Sequence, residues 1–281
     1  MRLEEAHDLL RRPVDRAADA ENVLKATLIE LKAAAVRDRD HDGSKHIWCL
    51  ETTLAIQEGY RDAFERMKAG QFYDAWCALA DVETLFCHLE RHSDLSDFRL
   101  QFIQTHTTRF QSLFPYRNFT SIGAIVRERR CGLCDAVISP RRGCHHRLGE
   151  IYDGVMCHHE ITDFVGTEVS LVANPVDKAC VLFLVDPATG KRVDYEYPLV
   201  EYVTACLSSP YHAWGCRWTK QRHPHEHFRD IPPSSPCPCE SGIDYESCCL
   251  REPGVLRPHC DFFFAVPPAR MPRLQYVHTT P

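Results

Sequence analysis

The sequence predicts an α+β protein: an N-terminal α-helical bundle over residues 1–116, a central β-rich domain over 117–230, and a small cysteine-rich knuckle with a tail over 231–281. Three observations predict it. Apolar residues recur at helical spacing as far as Leu113, short β-rich runs parted by Gly, Pro and Asp follow Phe119, and cysteines crowd into two groups, Cys131–Cys144 and Cys237–Cys249.

In the bundle, Leu24, Leu28, Leu31 and Ala35 form one stripe, and Ile56, Tyr60, Phe64 and Met67 a second. Phe72, Trp76, Leu79, Phe86 and Leu89 form a third, and Leu95, Phe98, Phe102, His106, Phe110 and Leu113 a fourth. With Pro13, Gly43, Gly70 and Pro115 as punctuation, the spacing gives four or five amphipathic helices whose short connections imply antiparallel neighbours. The stretch from Gly70 to Trp76 has the look of a tetratricopeptide-type hairpin, but no second copy follows at that period, so a plain bundle is the expectation.

After Phe119, strands are expected over 120–126, 150–153, 167–173, 179–185 and 192–197, and a helix over 197–207. Residues 208–235 read as a loop-rich stretch dense in Pro and His, and HCDFFFAV near the C-terminus as a strand before a Pro-punctuated tail.

A formal charge of -6 argues neither for a broadly basic nucleic-acid coat nor for an acidic disordered tail. The N-terminus does not read as a signal peptide, and no run reaches the roughly 20 apolar residues that span a bilayer. The expectation is a cytoplasmic protein with no membrane insertion. Thiols stay reduced in that compartment, so the 15 cysteines point to metal rather than to disulfides.

Cys237, Cys239, Cys248 and Cys249 offer four thiolates to one zinc at about 2.3 Å each, enough to hold so short a run in one fold. Pro238 stiffens the first turn, Ser241-Gly242 permits a reversal, and Tyr245 is placed to cover the metal. The rival is a group of structural or redox cysteines without metal; adjacent Cys248 and Cys249 cannot readily bridge each other. In the second constellation, Cys131 and Cys134 have knuckle spacing, and Cys144 with His146 closes the tetrahedron after a turn at Pro140 and Gly143. His145 is an alternative fourth ligand, and a surface CxxC with incidental neighbours is the alternative to a site.

CPCESGIDYESCC resembles the SEC-C motif, named after the C-terminal segment of the translocation motor SecA, whose pattern is close to CPCGSGKKYKKCC. Cys237, Pro238, Cys239, Ser241, Gly242, Tyr245, Cys248 and Cys249 match it. Glu240 stands where Gly is usual, and Ile243, Asp244, Glu246 and Ser247 stand where lysines are common. More broadly, FQSLFPY, CGLC, CHHRLGEIYDGVMC, EVSLVANP and WTKQRHPH resemble uncharacterised bacterial proteins that carry a C-terminal SEC-C motif. That resemblance supports Cys131, Cys134, Cys144 and His146 as one site and implies no established activity.

His223, His225 and His227, with Glu226, hold the residue types of an open catalytic zinc, although alternating positions in a Pro-containing segment converge only if the backbone bends. Cys157, His158 and His159 are further leftovers, while Cys77, Cys87, Cys180, Cys206 and Cys216 read as small buried hydrophobes. No phosphate loop or nucleophile elbow appears, and an HNH-type nuclease would lack its second CxxC. Arg129, Arg130, Arg141, Arg142 and Arg147 flank the first cysteine group and form a candidate nucleic-acid patch, against the plainer reading of a solvated surface.

The expected protein therefore carries two structural zinc ions and no catalytic residues. It engages a protein or ribonucleoprotein partner, as the SEC-C resemblance implies, and a bacterial stress or antiviral-defence setting would suit it. A metal-dependent hydrolase or nuclease using the histidine loop, and a nucleic-acid binder using the arginine patch, are the alternatives.

Overall fold

The computed structural model describes residues 2–13, 17–269 and 271–272; the tail beyond residue 272 lies outside the described residues. The fold is α+β, with six α-helices and small antiparallel sheets among the described residues. Five helices form the bundle: α1 (Leu3–Arg11), α2 (Ala18–Arg37), α3 (His41–Lys68), α4 (Phe72–Leu89) and α5 (Leu100–Leu113). The first three expected stripes supply packed faces; of the fourth, Phe102, His106, Phe110 and Leu113 lie on α5, whereas Leu95 and Phe98 precede it in turns, Phe98 at φ +58°. Ala6 and Leu10 of α1 meet Leu24 and Leu28 of α2 and Ile47, Leu50 and Leu54 of α3, while Tyr60, Phe64 and Met67 of α3 are buried, as are Leu79, Val82 and Phe86 of α4.

The helix ends obey local chemistry. Asp40 caps α3 by accepting from the Gly43 amide (2.8 Å), so Gly43 lies in the first turn of that helix and the break falls just before it. Gly70, at φ +75°, turns the chain out of α3 in the left-handed conformation that glycine adopts without strain. Gln57 is fully buried, and its amide donates to the carbonyls of Leu10 (2.8 Å) and Phe98 (2.9 Å). One polar side chain thus fixes the end of α1 and the turn before α5.

An aromatic box joins the bundle to the β-rich segment after Phe119. Trp76 packs against Phe114, Tyr116 and Phe119, and its Nε1 donates to the Lys178 carbonyl (2.6 Å). Tyr73 donates to the Ala179 carbonyl (2.7 Å), and the buried hydroxyls of Tyr116 and Tyr197 lie 2.9 Å apart. Burial of these rings supplies most of the local free energy, and the hydrogen bonds keep their polar ends satisfied.

From the box runs a long two-stranded ribbon, β1 (Phe119–Cys131) paired antiparallel with β4 (His159–Val172). It is nearly twice the expected length, because the exposed Arg127–Arg130 segment and the stretch after His159 continue the pairing. Between its strands lies the hairpin of β2 (Ile151–Tyr152) and β3 (Val155–Met156), turned by Asp153 and Gly154 at φ +49° and +70°, the handedness that tight hairpins need. A shorter hairpin, β5 (Leu184–Val185) with β6 (Arg192–Val193), comes next.

Contacts divide the chain into two compact units, Met1–Tyr197 and Pro198–Pro281. The sequence boundaries at 116 and 230 reflect changes of texture; compactness reflects contacts. The second unit contains α6 (Pro198–Cys206) and a ribbon of β7 (Trp214–His223) with β8 (Val255–Phe264). β7 corrects the expected loop over 208–235: its polar run Thr219-Lys220-Gln221-Arg222 carries no apolar alternation, yet pairs residue for residue with β8.

Truncating Trp76 removes the centre of the aromatic box and a hydrogen bond to residue 178. Trp76→Ala should destabilise the protein by about 3–5 kcal/mol, read as a lowered thermal midpoint by circular dichroism.

Candidate metal centres

The first centre is built at the far end of the β1–β4 ribbon. Cys131 is the last residue of β1, and its amide donates to the Ala136 carbonyl (2.9 Å), while the Asp135 amide returns to the Cys131 carbonyl (2.8 Å). Asp135, at φ +57°, makes the tight turn that brings Cys134 back toward Cys131. A second turn bonds Ser139 to Arg142 around Pro140 and delivers Cys144 and His146. The donor atoms of Cys131, Cys134, Cys144 and His146 all lie within 4.8 Å of one another. Cys131 Sγ is 3.6 Å from His146 Nδ1, the ring nitrogen that faces the thiols.

Of the two histidines open as fourth ligand, His146 joins this group and His145 does not. The His146 ring rests edge-on against Tyr152, whose hydroxyl accepts from the Arg147 amide (3.0 Å). His92 holds the centre to the bundle by donating from Nε2 to the Gly149 carbonyl (2.7 Å).

Sequence spacing does not mark Cys157 as a ligand, yet its buried Sγ lies 3.9 Å from Cys131 Sγ. Its backbone is fixed on both sides, donating to Glu150 and accepting from Gly149 at 2.8 Å each. It backs the centre without joining the four mutually close donors. Its position just after the β2–β3 hairpin is the signal that could have flagged it.

The second centre gathers Cys237, Cys239, Cys248 and Cys249, again with all four sulfurs within 4.8 Å. Cys239 and Cys248 are 3.6 Å apart, and Cys248 and Cys249 are 4.0 Å apart. Four sulfurs at about 2.3 Å from a tetrahedral ion stand about 3.8 Å from each other, so this spacing fits a metal. The backbone closes around them through Cys237 N to Ile243 O (2.8 Å) and Tyr245 N to Ser235 O (2.8 Å). The apolar cluster here is Phe228, Tyr245, Val255 and the cysteines themselves, which is too little to fold so short a run unaided.

Glu240 has φ +65°, a left-handed conformation costing a non-glycine residue about 1–2 kcal/mol. Its carboxylate pairs with Arg257, whose side chain is only 7 % exposed and also donates to the Pro238 carbonyl (2.5 Å). The departure from Gly at this position thus exchanges backbone ease for a charged partner to a buried guanidinium.

Protonation divides the thiols of each centre. In the first, bonds from the Leu133 and Cys134 amides bring the Cys131 thiol down to about 6, while burial pushes Cys157 up to about 11. In the second, burial opposes ionisation of Cys239, but hydrogen bonds from Ser241, Cys237 and Cys248 bring it down to about 6; burial holds Cys237 up at about 12. Clustered thiolates repel one another, and a divalent cation removes that repulsion.

The other predicted residues fall elsewhere. Among the described residues only the two cysteine clusters could hold an ion. His225 is engaged at both nitrogens: Nε2 donates to the Glu252 carbonyl (2.8 Å) and Nδ1 accepts from the Tyr245 hydroxyl (2.6 Å). The rings of His223 and His259 lie 5.5 Å apart, and His227 is exposed. Arg130 is paired with Glu128 (2.8 Å) and Asp135 (2.9 Å), whereas Arg129, Arg141, Arg142 and Arg147 are exposed with no ion pair among the described residues. Cys87 is exposed and Cys77, Cys180 and Cys216 are half-buried, leaving Cys206 as the one of those five that is fully buried.

Two four-donor clusters on an α+β chain define a protein with two candidate metal centres. The second of them lies in residues 234–251, which match the SEC-C motif, a metal-binding motif. No curated protein and no solved structure matches the chain.

Metal binding releases one proton for each ligand thiol still protonated. Above about pH 6 Cys131 and Cys239 are already ionised; as pH falls through that value each takes up a proton, and each centre must then release one more. The logarithm of metal affinity should therefore fall more steeply below about pH 6, by about one unit of slope per centre, in chelator-competition titrations. A constant slope would contradict the assignment.

Substitutions at Glu240 separate its two roles. Glu240→Ala keeps the left-handed backbone and loses the ion pair, lowering stability by about 1–3 kcal/mol, and Glu240→Gly should recover about 1 kcal/mol of that loss in thermal melts of the metal-loaded chain.

Proposed function

We propose that the chain is a zinc-stabilised adaptor of a reducing, cytoplasmic compartment, with two structural zinc ions that hold surfaces for a protein or ribonucleoprotein partner. One observation carries this reading: each centre brings four protein donors together, filling the tetrahedron of zinc and leaving no seat for a reactive water. Thiolate-rich donor sets select zinc over the hard cations magnesium and calcium. At about 10–16 kcal/mol of apparent binding energy per structural zinc, each ion would decide whether its segment folds. The presented surface of the SEC-C segment is acidic, with Asp244 and Glu246 exposed, so a basic partner face suits it better than a nucleic-acid backbone.

The arginines favour a second reading. Arg129, Arg141, Arg142 and Arg147 stand exposed around the first centre without acidic partners among the described residues, a placement suited to phosphates. Binding of single- or double-stranded nucleic acid should then weaken steeply with salt and vanish when Arg129, Arg141 and Arg142 are neutralised.

Elemental analysis of the purified chain should give two zinc ions, falling to one in Cys237→Ser and to one in Cys131→Ser. Unchanged zinc in Cys237→Ser would sink the assignment, and a third ion lost with His223, His225 and His227 would favour a hydrolase. Affinity purification from native cells, run beside Cys237→Ser, should yield a protein or ribonucleoprotein whose capture needs the intact second centre.

A further inference from the structure

The β1–β4 ribbon is amphipathic in a way its sequence hides. Opposed residues share a face, so the register places Ile122 with Val169, Ala124 with Gly166, Val126 with Phe164, and Arg129 with Ile161 on one side. Thr120 with Leu171 lies on that side as well. Beyond the end pair of Phe119 and Val172, the other face carries Ser121, Glu128, Arg130, Glu160, Asp163 and Glu168, with Ile125 and Val165 as its apolar pair.

Plain alternation along β4 would scatter Ile161, Phe164, Val169 and Leu171 over both faces, since their spacing changes parity. The ribbon has three register irregularities, between Gly123 and Ala124, Val126 and Glu128, and Glu128 and Arg129. The first leaves Thr167 unopposed and brings Phe164 to the side of Val169; the third leaves Thr162 unopposed and brings Ile161 to that side as well. The result is a continuous apolar strip whose large side chains are 44 % (Val126) to 69 % (Ile122, Val169, Leu171) exposed.

We propose that this strip is the contact face of a homodimer, two copies packing ribbon against ribbon about a two-fold axis through Ala124 and Gly166. The two-fold sets the Ile122–Val169 rung of one copy on the Val126–Phe164 rung of the other, apolar on apolar, with the small Ala124–Gly166 rung at the axis. Charge agrees with it. Arg129 is the one formal charge among these rungs and lies off-centre, so the axis carries the two copies of it to opposite ends, beside Thr120 of the second copy rather than beside each other. Area agrees as well. At roughly 100 Å² for each of the six large exposed side chains, two copies would together bury up to about 1,200 Å², the lower end of the range of stable interfaces.

Sedimentation equilibrium of the full-length, metal-loaded chain at micromolar concentration tests this. A reversible dimer is expected, with Phe164→Asp and Val169→Asp shifting the mass to monomer at unchanged far-UV circular dichroism, and Ile125→Asp on the other face leaving it dimeric. Should the aspartate variants unfold, photocrosslinking supplies the readout. A benzophenone amino acid in place of Arg129 should link to residues near Thr120 and Leu171 of a second copy. A monomer for the unaltered chain at about 100 µM, a dimer that survives both aspartates with the fold intact, or crosslinks confined to one chain or to another part of the second copy overturns the proposal.

Discussion

Four donor atoms drawn within 4.8 Å of each other, twice in one chain, is the constraint on which the rest of the structure turns. Neither segment can supply it from apolar packing. In the second centre the cluster is Phe228, Tyr245 and Val255 around the cysteines, and in the first the chain between β1 and β2 consists of turns with exposed arginines. What holds the donors is backbone hydrogen bonding inside tight turns, and a cation among them would relieve the repulsion within so dense a set of thiols. Around each centre the fold keeps an anchor of its own, His92 on the Gly149 carbonyl in one and His225 on Tyr245 in the other.

The donor sets were legible because ligand spacing is a local property of the chain. Cys131-x-x-Cys134 and Cys237-x-Cys239 each close within one turn, and geometry there leaves few choices. The bundle was legible for a related reason: stripes such as Tyr60, Phe64 and Met67 record a helix period and a buried face together. Cys157 was not legible as a neighbour of the first centre, because only the β2–β3 hairpin brings it to Cys131. Nor was β7, whose polar run Thr219–Arg222 is a strand only by virtue of its pairing with β8. For the histidine series, spacing already spoke against a centre, since alternating positions converge only if the backbone bends. Residue types suited to a metal lie close in sequence, but His225 spends both nitrogens on Tyr245 and Glu252, and the backbone does not bend the three together.

The ribbon extends that contrast between local and tertiary information. β1 ends on the candidate ligand Cys131 and begins at Phe119 in the aromatic box, so a single strand couples the first centre to the ring cluster on Trp76. A two-stranded ribbon is marginal in water by itself. Here both ends are fixed, one by rings and one by the turns that carry the thiols, and the middle is left bare on both faces. Such an element gains most from whatever covers its apolar side, since its ordering entropy has already been met at its ends.

Glu240 shows how far a motif can drift while its four sulfurs stay within 4.8 Å of one another. A glycine at φ +65° needs no compensation, but it offers nothing to Arg257, a guanidinium 7 % exposed beneath the knuckle. With glutamate there, backbone strain of about 1–2 kcal/mol stands against a charge-assisted bond to a group that is costly to leave without a counterion. The two effects are similar in size, so neither residue is excluded on stability alone. The difference lies in coupling: with glutamate, the loop between Cys239 and Cys248 is tied to β8, and the shape of the metal centre becomes dependent on the ribbon beside it.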